Sequence, residues 1–362
     1  MRYERCLSPL GRSVATGSSF VNGWDCSRPG CSAREEQILA YDSLLVQGIY
    51  HKSVPVPLRC TCNHRRMPAP IRTIHFSDPG CPWAYSAWPA HSVLRWRFGA
   101  QLDWRLVLIG LAETPDRYVN SGYTPARSAQ GYRRFARFGM PFGGQPRARI
   151  TATSPACRTI VAARLAHPGD DTDLKVFRAL ALAMFTSTAL LDTEEGLRDA
   201  LARLGDAIDA AALVGAIEDP AVREAYEEDR ALARTAAGRP IDVQGRAADT
   251  DGAVRYTAPS VRFTDEADAT LEVGGFQPWE AYDTALANLA PGLQRRPPAE
   301  DPVDVLRELP YAPCTREVAA CMAGNLDAPD DAAAEAALID AAAQGVVVRQ
   351  AVGNGALWHL AA

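Results

Sequence analysis

The chain has no run of about 18 apolar residues, so no segment is long enough to span a membrane as a helix. Its N-terminus, MRYERCLSPLGRSVATGSSF, carries positive charge but no continuous apolar core, and does not read as a secretory signal. An excess of positive charge is also missing: the formal net charge is -5. That argues against a chain-wide electrostatic footprint for nucleic acid or anionic membrane, and neither is an expected partner. A disulfide framework is lacking too. The nine cysteines are odd in number and follow no framework spacing, and without export they are expected to stay reduced. A cytoplasmic location is the resulting expectation.

What is present is an ordinary globular composition, 47% hydrophobic and 22% charged, in a chain long enough for about two domains at roughly 150 residues each. Residues 1–66 stand apart: rich in Arg, Ser, Pro and Cys, they show no sustained period, with one helix-or-strand patch at 35–50. They are expected to be a poorly ordered extension, or the product of an upstream start codon, with a capping arm as the alternative. Cys60, Cys62 and His64, with Cys26 and Cys31, have ligand chemistry but not the spacing of a common zinc finger, so no metal is expected.

From residue 71 the pattern sharpens. IRTIHF (71–76) predicts a buried strand, and Asp-Pro-Gly after it predicts a turn. Pro82 suits the first turn of a helix running to about residue 98, and 101–111 predicts a second strand. Strand, helix, strand implies a parallel pair. Residues 118–144 read as a loop-rich aromatic and basic segment, either a lid for an anionic ligand or a solvated helix with its aromatics turned inward. Helices are expected at 154–166, 173–187, 193–204, 207–217 and 219–237, with Ser154 as an N-cap. Residues 259–263 and 270–275 predict a β-hairpin, 278–290 a helix and 291–302 a proline-rich linker. The last 60 residues predict helices at 303–309, 315–324 and 331–345, then two strands around Gly353–Asn354–Gly355. This resembles a winged-helix-like module, but its third helix, DAAAEAALIDAAAQG, has no Lys or Arg to read DNA. A structural or protein-binding role is expected. Cys314 and Cys321, seven apart, are expected to share one buried helix face.

The candidate chemistry lies in FSDPGCPWAYS (76–86) and YTAPSVRF (256–263). Cys81 precedes the first helical turn, where unpaired N–H groups and the helix dipole favour a thiolate and a lowered pKa. Pro82 stiffens the turn, Trp83 covers it, and Asp78 either caps the turn or tunes Cys81. The two motifs, in this order and with helices between them, resemble the DsbA-like branch of the thioredoxin superfamily over residues 71–290. The resemblance implies an α/β class: a thioredoxin-like domain (67–114 and 238–290) with an inserted helical domain (115–237); the linker (291–302) and the winged-helix-like α+β module (303–362) lie outside it. It implies a cis Pro259 and a role for Ala258, the residue before it, in pairing by backbone with a bound peptide or thiol. It also implies that the start of the first inserted helix faces the site, bringing Thr153 and Ser154 near Cys81 with Cys157 slightly deeper.

Ala84 departs from that family's Cys-Pro-Trp-Cys. A dithiol centre releases its mixed disulfide through the second thiol, and Cys81 alone has none. The leading expectation is a thiol–disulfide oxidoreductase working through Cys81 and resolved by a low-molecular-weight thiol such as glutathione or mycothiol, with no tightly bound cofactor. Cys157 is the internal candidate for a resolving thiol, or else a core residue. Two other readings stay open. One is a thiol-cofactor-dependent isomerase like the 2-hydroxychromene-2-carboxylate isomerases, which carry Ser at the position of Cys81. The other is a redox-inactive binding protein that uses its C-terminal module for assembly. Expected partners are the small thiol and a disulfide-containing or electrophilic substrate, with a homodimer left open.

Overall fold

A computed structural model of the chain describes residues 69–249 and 252–361. The expected extension at 1–66 and the cysteines proposed for zinc fall outside the described residues. Strand β1 (Ile71–Ser77) is rich in β-branched and aromatic residues and is one of the two inner strands of a four-stranded sheet. It pairs in parallel with β2 (Leu102–Leu108), Ile71 opposite Leu102 and Ser77 opposite Leu108. Between them the chain forms α1 (Pro82–Ser86) and α2 (Trp88–Phe98). One continuous helix was expected here. It breaks at Ala87 because Pro89 has no N–H to give to the carbonyl one turn earlier. β2 also ends earlier than expected. Gly110 turns the chain with φ +65°, and a Cβ there would lie 2.3 Å from the Tyr226 hydroxyl.

The segment 118–144 is more ordered than its composition suggested. It holds α3 (Asp116–Asn120) and α4 (Pro125–Phe135), followed by a single 3-10 turn (Ala136–Phe138). Thr124 caps α4 by accepting from the Arg127 N–H, and Pro125 opens it. The inserted helices follow: α5 (Ser154–Ala166), α6 (Thr172–Thr186), α7 (Glu194–Leu201), α8 (Ala210–Gly215), α9 (Pro220–Ala233) and α10 (Pro240–Val243). Thr153, not Ser154, occupies the N-cap of α5. Asp229 on α9 is fully buried and fastens this layer to the sheet. It accepts from the Leu108 N–H at 3.0 Å and from Arg164 of α5 at 3.1 and 2.9 Å.

Two short strands, β3 (Ala247–Asp249) and β4 (Val254–Tyr256), pair with each other; their three residues each carry no legible alternation. β5 (Ser260–Thr264) and β6 (Thr270–Gly274) form the expected hairpin, and β5 pairs antiparallel with β1. The sheet order is β2-β1-β5-β6. Helix α11 (Trp279–Leu289) packs Tyr282 and Leu286 into the same core as Leu94 and Phe263.

The C-terminal residues form α12 (Pro302–Glu308), α13 (Thr315–Met322), α14 (Asp331–Ala343) and the hairpin of β7 (Val347–Val352) and β8 (Gly355–Leu360). An antiparallel bridge from Cys314 to Leu357 adds a third short edge to that hairpin. Cys314 and Cys321 do not share a helix face. Cys314 is the N-cap of α13 and meets the Met140 sulfur at 3.5 Å, whereas Cys321 packs in another cluster with Val93 and Trp96 of α2. Segment 291–302 is held rather than free: Arg296 N–H donates to Arg97 O at 2.8 Å and Ala299 N–H to Cys321 O at 2.9 Å. No helix among the described residues is long and apolar enough to cross a membrane.

His75 of β1 and His91 of α2 are both buried, their ring centroids 4.4 Å apart. Burial, then the mutual proximity and Arg95, holds His75 well below the usual imidazole range; burial and then Arg95 bring His91 down to about 3. Both are neutral when folded and regain a pKa near 6.5 when unfolded, so the unfolded state takes up protons below that value. Stability therefore falls as pH drops through 6.5. Between pH 7.5 and 5.5 the pair is expected to cost about 2–3 kcal/mol. A phenylalanine pair at these positions should flatten that slope in urea titrations; an unchanged slope would remove the histidines as its cause.

Candidate active site

The site begins where β1 ends. Asp78 O accepts from the Cys81 N–H at 3.1 Å, closing the turn that Asp-Pro-Gly predicts. Asp78 Oδ1 accepts from the Gly80 N–H at 2.8 Å. Gly80 is required by close approach, since a Cβ there would lie 2.4 Å from Thr153 Cγ2. Cys81 is the N-cap of α1 and Pro82 its first residue. The loop before β5 lies across from it, with a cis Ala258–Pro259 peptide. Cys81 Sγ donates to Ala258 O at 3.1 Å and is only 7% exposed. Thr257 anchors the loop, its hydroxyl donating to Arg246 O at 2.8 Å.

The thiol is not acidic at rest. Burial pushes it up to about 11, and the nearby Asp78 charge adds to that. The Ala84 and Trp83 N–H groups and the Arg255 charge act in the opposite direction but do not win. This corrects the expected lowered pKa. Helix α1 has five residues before the break, so few peptide dipoles align behind Cys81, and the carbonyl of Ala258 rewards the protonated form.

Asp78 does more than cap the turn. It is buried at 1% exposure, and Oδ2 accepts from the Leu111 N–H at 2.8 Å and the Thr153 hydroxyl at 3.1 Å. The Cys157 thiol also points at Oδ2, at 3.6 Å. Burial raises the Asp78 pKa, against the pull of these donors. One carboxylate thus joins the active-site turn, the end of β2 and the start of α5. Cys157 is wholly buried, its pKa driven well up by burial and then by Asp78. Cys81 and Cys157 are both free thiols. Ser154 is directed elsewhere: its hydroxyl accepts from Arg158 at 3.3 Å.

Trp83 remains 42% exposed, wedged edge-on against Phe135 (4.7 Å) and beside Phe138 (5.8 Å) and Phe276 (5.5 Å). Phe135 and Phe138 of segment 118–144 thus flank Trp83 while Arg133 and Arg134 face solvent. Ala84 is buried, and its methyl packs in a cluster with Phe76, Val107 and Tyr256. Among the described residues no three His, Cys, Asp or Glu side chains converge as a metal site. Sequence reasoning missed Arg255, Phe276 and Tyr118. Arg255 is buried within electrostatic reach of Cys81, and Tyr118 of α3 lies within reach of both Asp78 and Cys81. The one available signal was an arginine in a strand three residues before Ala258.

An Asp78→Asn variant should react faster with iodoacetamide at pH 8, because the charge opposing the Cys81 thiolate is gone. It should also lose about 1–3 kcal/mol, because an amide nitrogen must face one of the donors Asp78 now satisfies. Slower alkylation of the folded variant would contradict this electrostatic assignment.

The site thus sets a thiol at a helix start against the carbonyl before a cis-proline. The model of a family described as DSBA-like thioredoxin domain matches residues 73–253. The chain belongs to this DSBA-like thioredoxin family, and is thiol–disulfide oxidoreductase-like. No curated protein matches it. Among solved structures it is similar to a putative protein disulfide isomerase from Nitrosomonas europaea, at 17% identity over 60% of this chain and 97% of that one, TM-score 0.45. It is also similar to the cytosolic disulfide reductase DsbM from Pseudomonas aeruginosa, at 20% identity over 60% and 100%, TM-score 0.42. A probable DsbA oxidoreductase from Streptomyces coelicolor matches at 18% identity over 64% and 93%, TM-score 0.44. The DSBA-like match stops at residue 253, so Ala258–Pro259 and the C-terminal helices and hairpin lie beyond it.

Proposed function

We propose that the chain is a single-thiol oxidoreductase that moves a low-molecular-weight thiol through Cys81. The observation that carries this reading is the Cys81 thiol held 3.1 Å from Ala258 O while the next candidate sulfur, Cys157, is engaged with Asp78. Ala84 leaves no second thiol in the motif itself.

The steps follow from that arrangement. Cys81 loses its proton to solvent and its sulfur attacks the small-thiol sulfur of a mixed disulfide R–S–S–G. The S–S bond of the mixed disulfide breaks, R–S⁻ leaves and takes up a proton, and Cys81–S–S–G forms. A second molecule, G–SH, attacks the G sulfur of the adduct as its thiolate. Cys81 leaves and is reprotonated, and G–S–S–G is released. R–S–S–G is reduced by two electrons and two G–SH equivalents are oxidised to one disulfide, one of them carried in with the substrate. Glutathione or mycothiol fits the role of G–SH, and a reducing compartment would supply it.

The raised pKa sets the direction. At pH 7.5 a thiol near 11 is ionised on the order of one time in a few thousand, so attack is slow to start. A thiol of high pKa is also a poor leaving group, so its mixed disulfide persists. Taking a thiol from a substrate is favoured over oxidising one. Burial penalises the thiolate but not the neutral disulfide, which favours the adduct further.

A coupled assay of a mixed disulfide with glutathione or mycothiol tests this: turnover with ping-pong kinetics is expected. The same burial also favours a second reading, a binding protein that keeps the fold without turnover. No turnover and no adduct with either thiol would establish that reading and discard the first.

A further inference from the structure

The Gly353–Asn354–Gly355 turn, which the sequence offers as the tip of a wing, is docked against the body of the protein. Asn354 Oδ1 accepts from the Phe142 N–H at 2.7 Å, and the Asn354 N–H donates to Phe142 O at 3.1 Å. A Cβ on Gly353 would lie 2.9 Å from the Phe142 carbonyl, and one on Gly355 would lie 3.2 Å from the Pro141 ring. The glycines are what let the turn approach so closely.

Phe142 is two contacts from the active site. Its ring meets Tyr85 of α1 at 5.1 Å and Phe135 at 6.2 Å, and Phe135 meets Trp83 at 4.7 Å. The Tyr85 hydroxyl donates to Pro141 O at 2.7 Å. A second contact holds the stretch at Gly139, which has φ +90°. A Cβ there would lie 2.3 Å from Arg316 Nε, so the α13 side chain lies directly over the backbone; Arg316 is itself held by Asp331 at 2.8 Å. Segment 135–142 is therefore held at Gly139 and again at Phe142 by residues of the C-terminal module. Phe138 and Arg316 then line one groove of about 390 Å³ together with Pro89, Phe276 and Ala320.

We propose that the C-terminal module latches the aromatic segment 135–142 over Trp83, and that this latch sets the size of disulfide reaching Cys81. The aromatic segment held against Trp83 admits the small-thiol end of a low-molecular-weight disulfide and refuses a disulfide in a folded protein. Asn354 is a positioning residue in this scheme. The substrate half rests on the function proposed above; the latch itself does not.

The test compares Asn354→Ala with Asn354→Asp, which keeps an oxygen for the Phe142 N–H. Hydrogen exchange is read on peptides covering 125–142, and turnover on hydroxyethyl disulfide and on insulin with glutathione. In Asn354→Ala, exchange in that segment should rise by about fivefold. KM for the small disulfide should rise with little change in kcat, and the insulin-to-small-disulfide ratio should increase. Asn354→Asp should restore both. Unchanged exchange in Asn354→Ala overturns the latch. Faster exchange with an unchanged substrate ratio overturns the specificity role. If the wild-type chain turns over neither substrate, the proposed function and the substrate half fail together, and exchange alone still decides the latch.

Discussion

Replacing Cys81 by serine lowers thiol transfer by at least about three orders of magnitude, because a hydroxyl forms no disulfide and no other sulfur replaces it. The structure separates this loss from a folding defect. Serine keeps a donor for Ala258 O, and Cys81 sits at an N-cap, a position serine favours. The melting temperature should move by only a few degrees, corresponding to about 1 kcal/mol or less. Activity surviving on an isomerisable aromatic substrate with added thiol would instead point to thiol-cofactor chemistry at this fold.

The largest expected stability effect lies away from Cys81. Arg178 of α6 and Glu317 of α13 form a buried, doubly bonded ion pair. Glu317 also accepts from Ser92 of α2 at 2.9 Å and from the Cys314 N–H at 2.7 Å. The Arg178 guanidinium lies 4.8 Å over the Trp88 ring and 4.3 Å over Tyr311. One carboxylate thus joins the inserted helices, the active-site layer and the C-terminal module. Glu317→Ala leaves a buried cation with no counter-charge and should cost about 3–5 kcal/mol. That is a fall of roughly 10 °C in melting temperature for a protein of this size. An Arg178→Met, Glu317→Leu pair should recover most of the loss, since no charge is then stranded. A melting point for Glu317→Ala within about 2 °C of wild type would contradict the role given to this pair.

Much of this was legible in the sequence because local chemistry agreed with the fold. IRTIHF, the Asp-Pro-Gly turn, Pro82 at a helix start and the hairpin at 260–274 each carry their own signal. The break between α1 and α2 was also signalled, by Pro89. Segment 118–144 read either as a lid or as a solvated basic helix with its aromatics inward, and α4 follows the second pattern, turning Tyr132 and Phe135 onto the core while Arg133 and Arg134 face solvent. Long-range contacts were the illegible part. Asp-Pro-Gly reads as a turn, and nothing local says that Asp78 also satisfies Leu111, Thr153 and Cys157. The Cys81 pKa failed for the same reason: the helix start was visible, while the burial that outweighs it comes from residues far along the chain. The hairpin turn at 353–355 was visible as a turn, but its partner Phe142 was not.

The most direct measurement is peptide-mapped mass spectrometry of the native protein after reaction with an oxidised small thiol, glutathione or mycothiol disulfide, under non-denaturing conditions. One thiol adduct on the peptide carrying Cys81, removed by the reduced thiol, with Cys157 unmodified, is the predicted result. A Cys81–Cys157 disulfide, or a Cys81 that stays unmodified, would contradict a single-thiol mechanism.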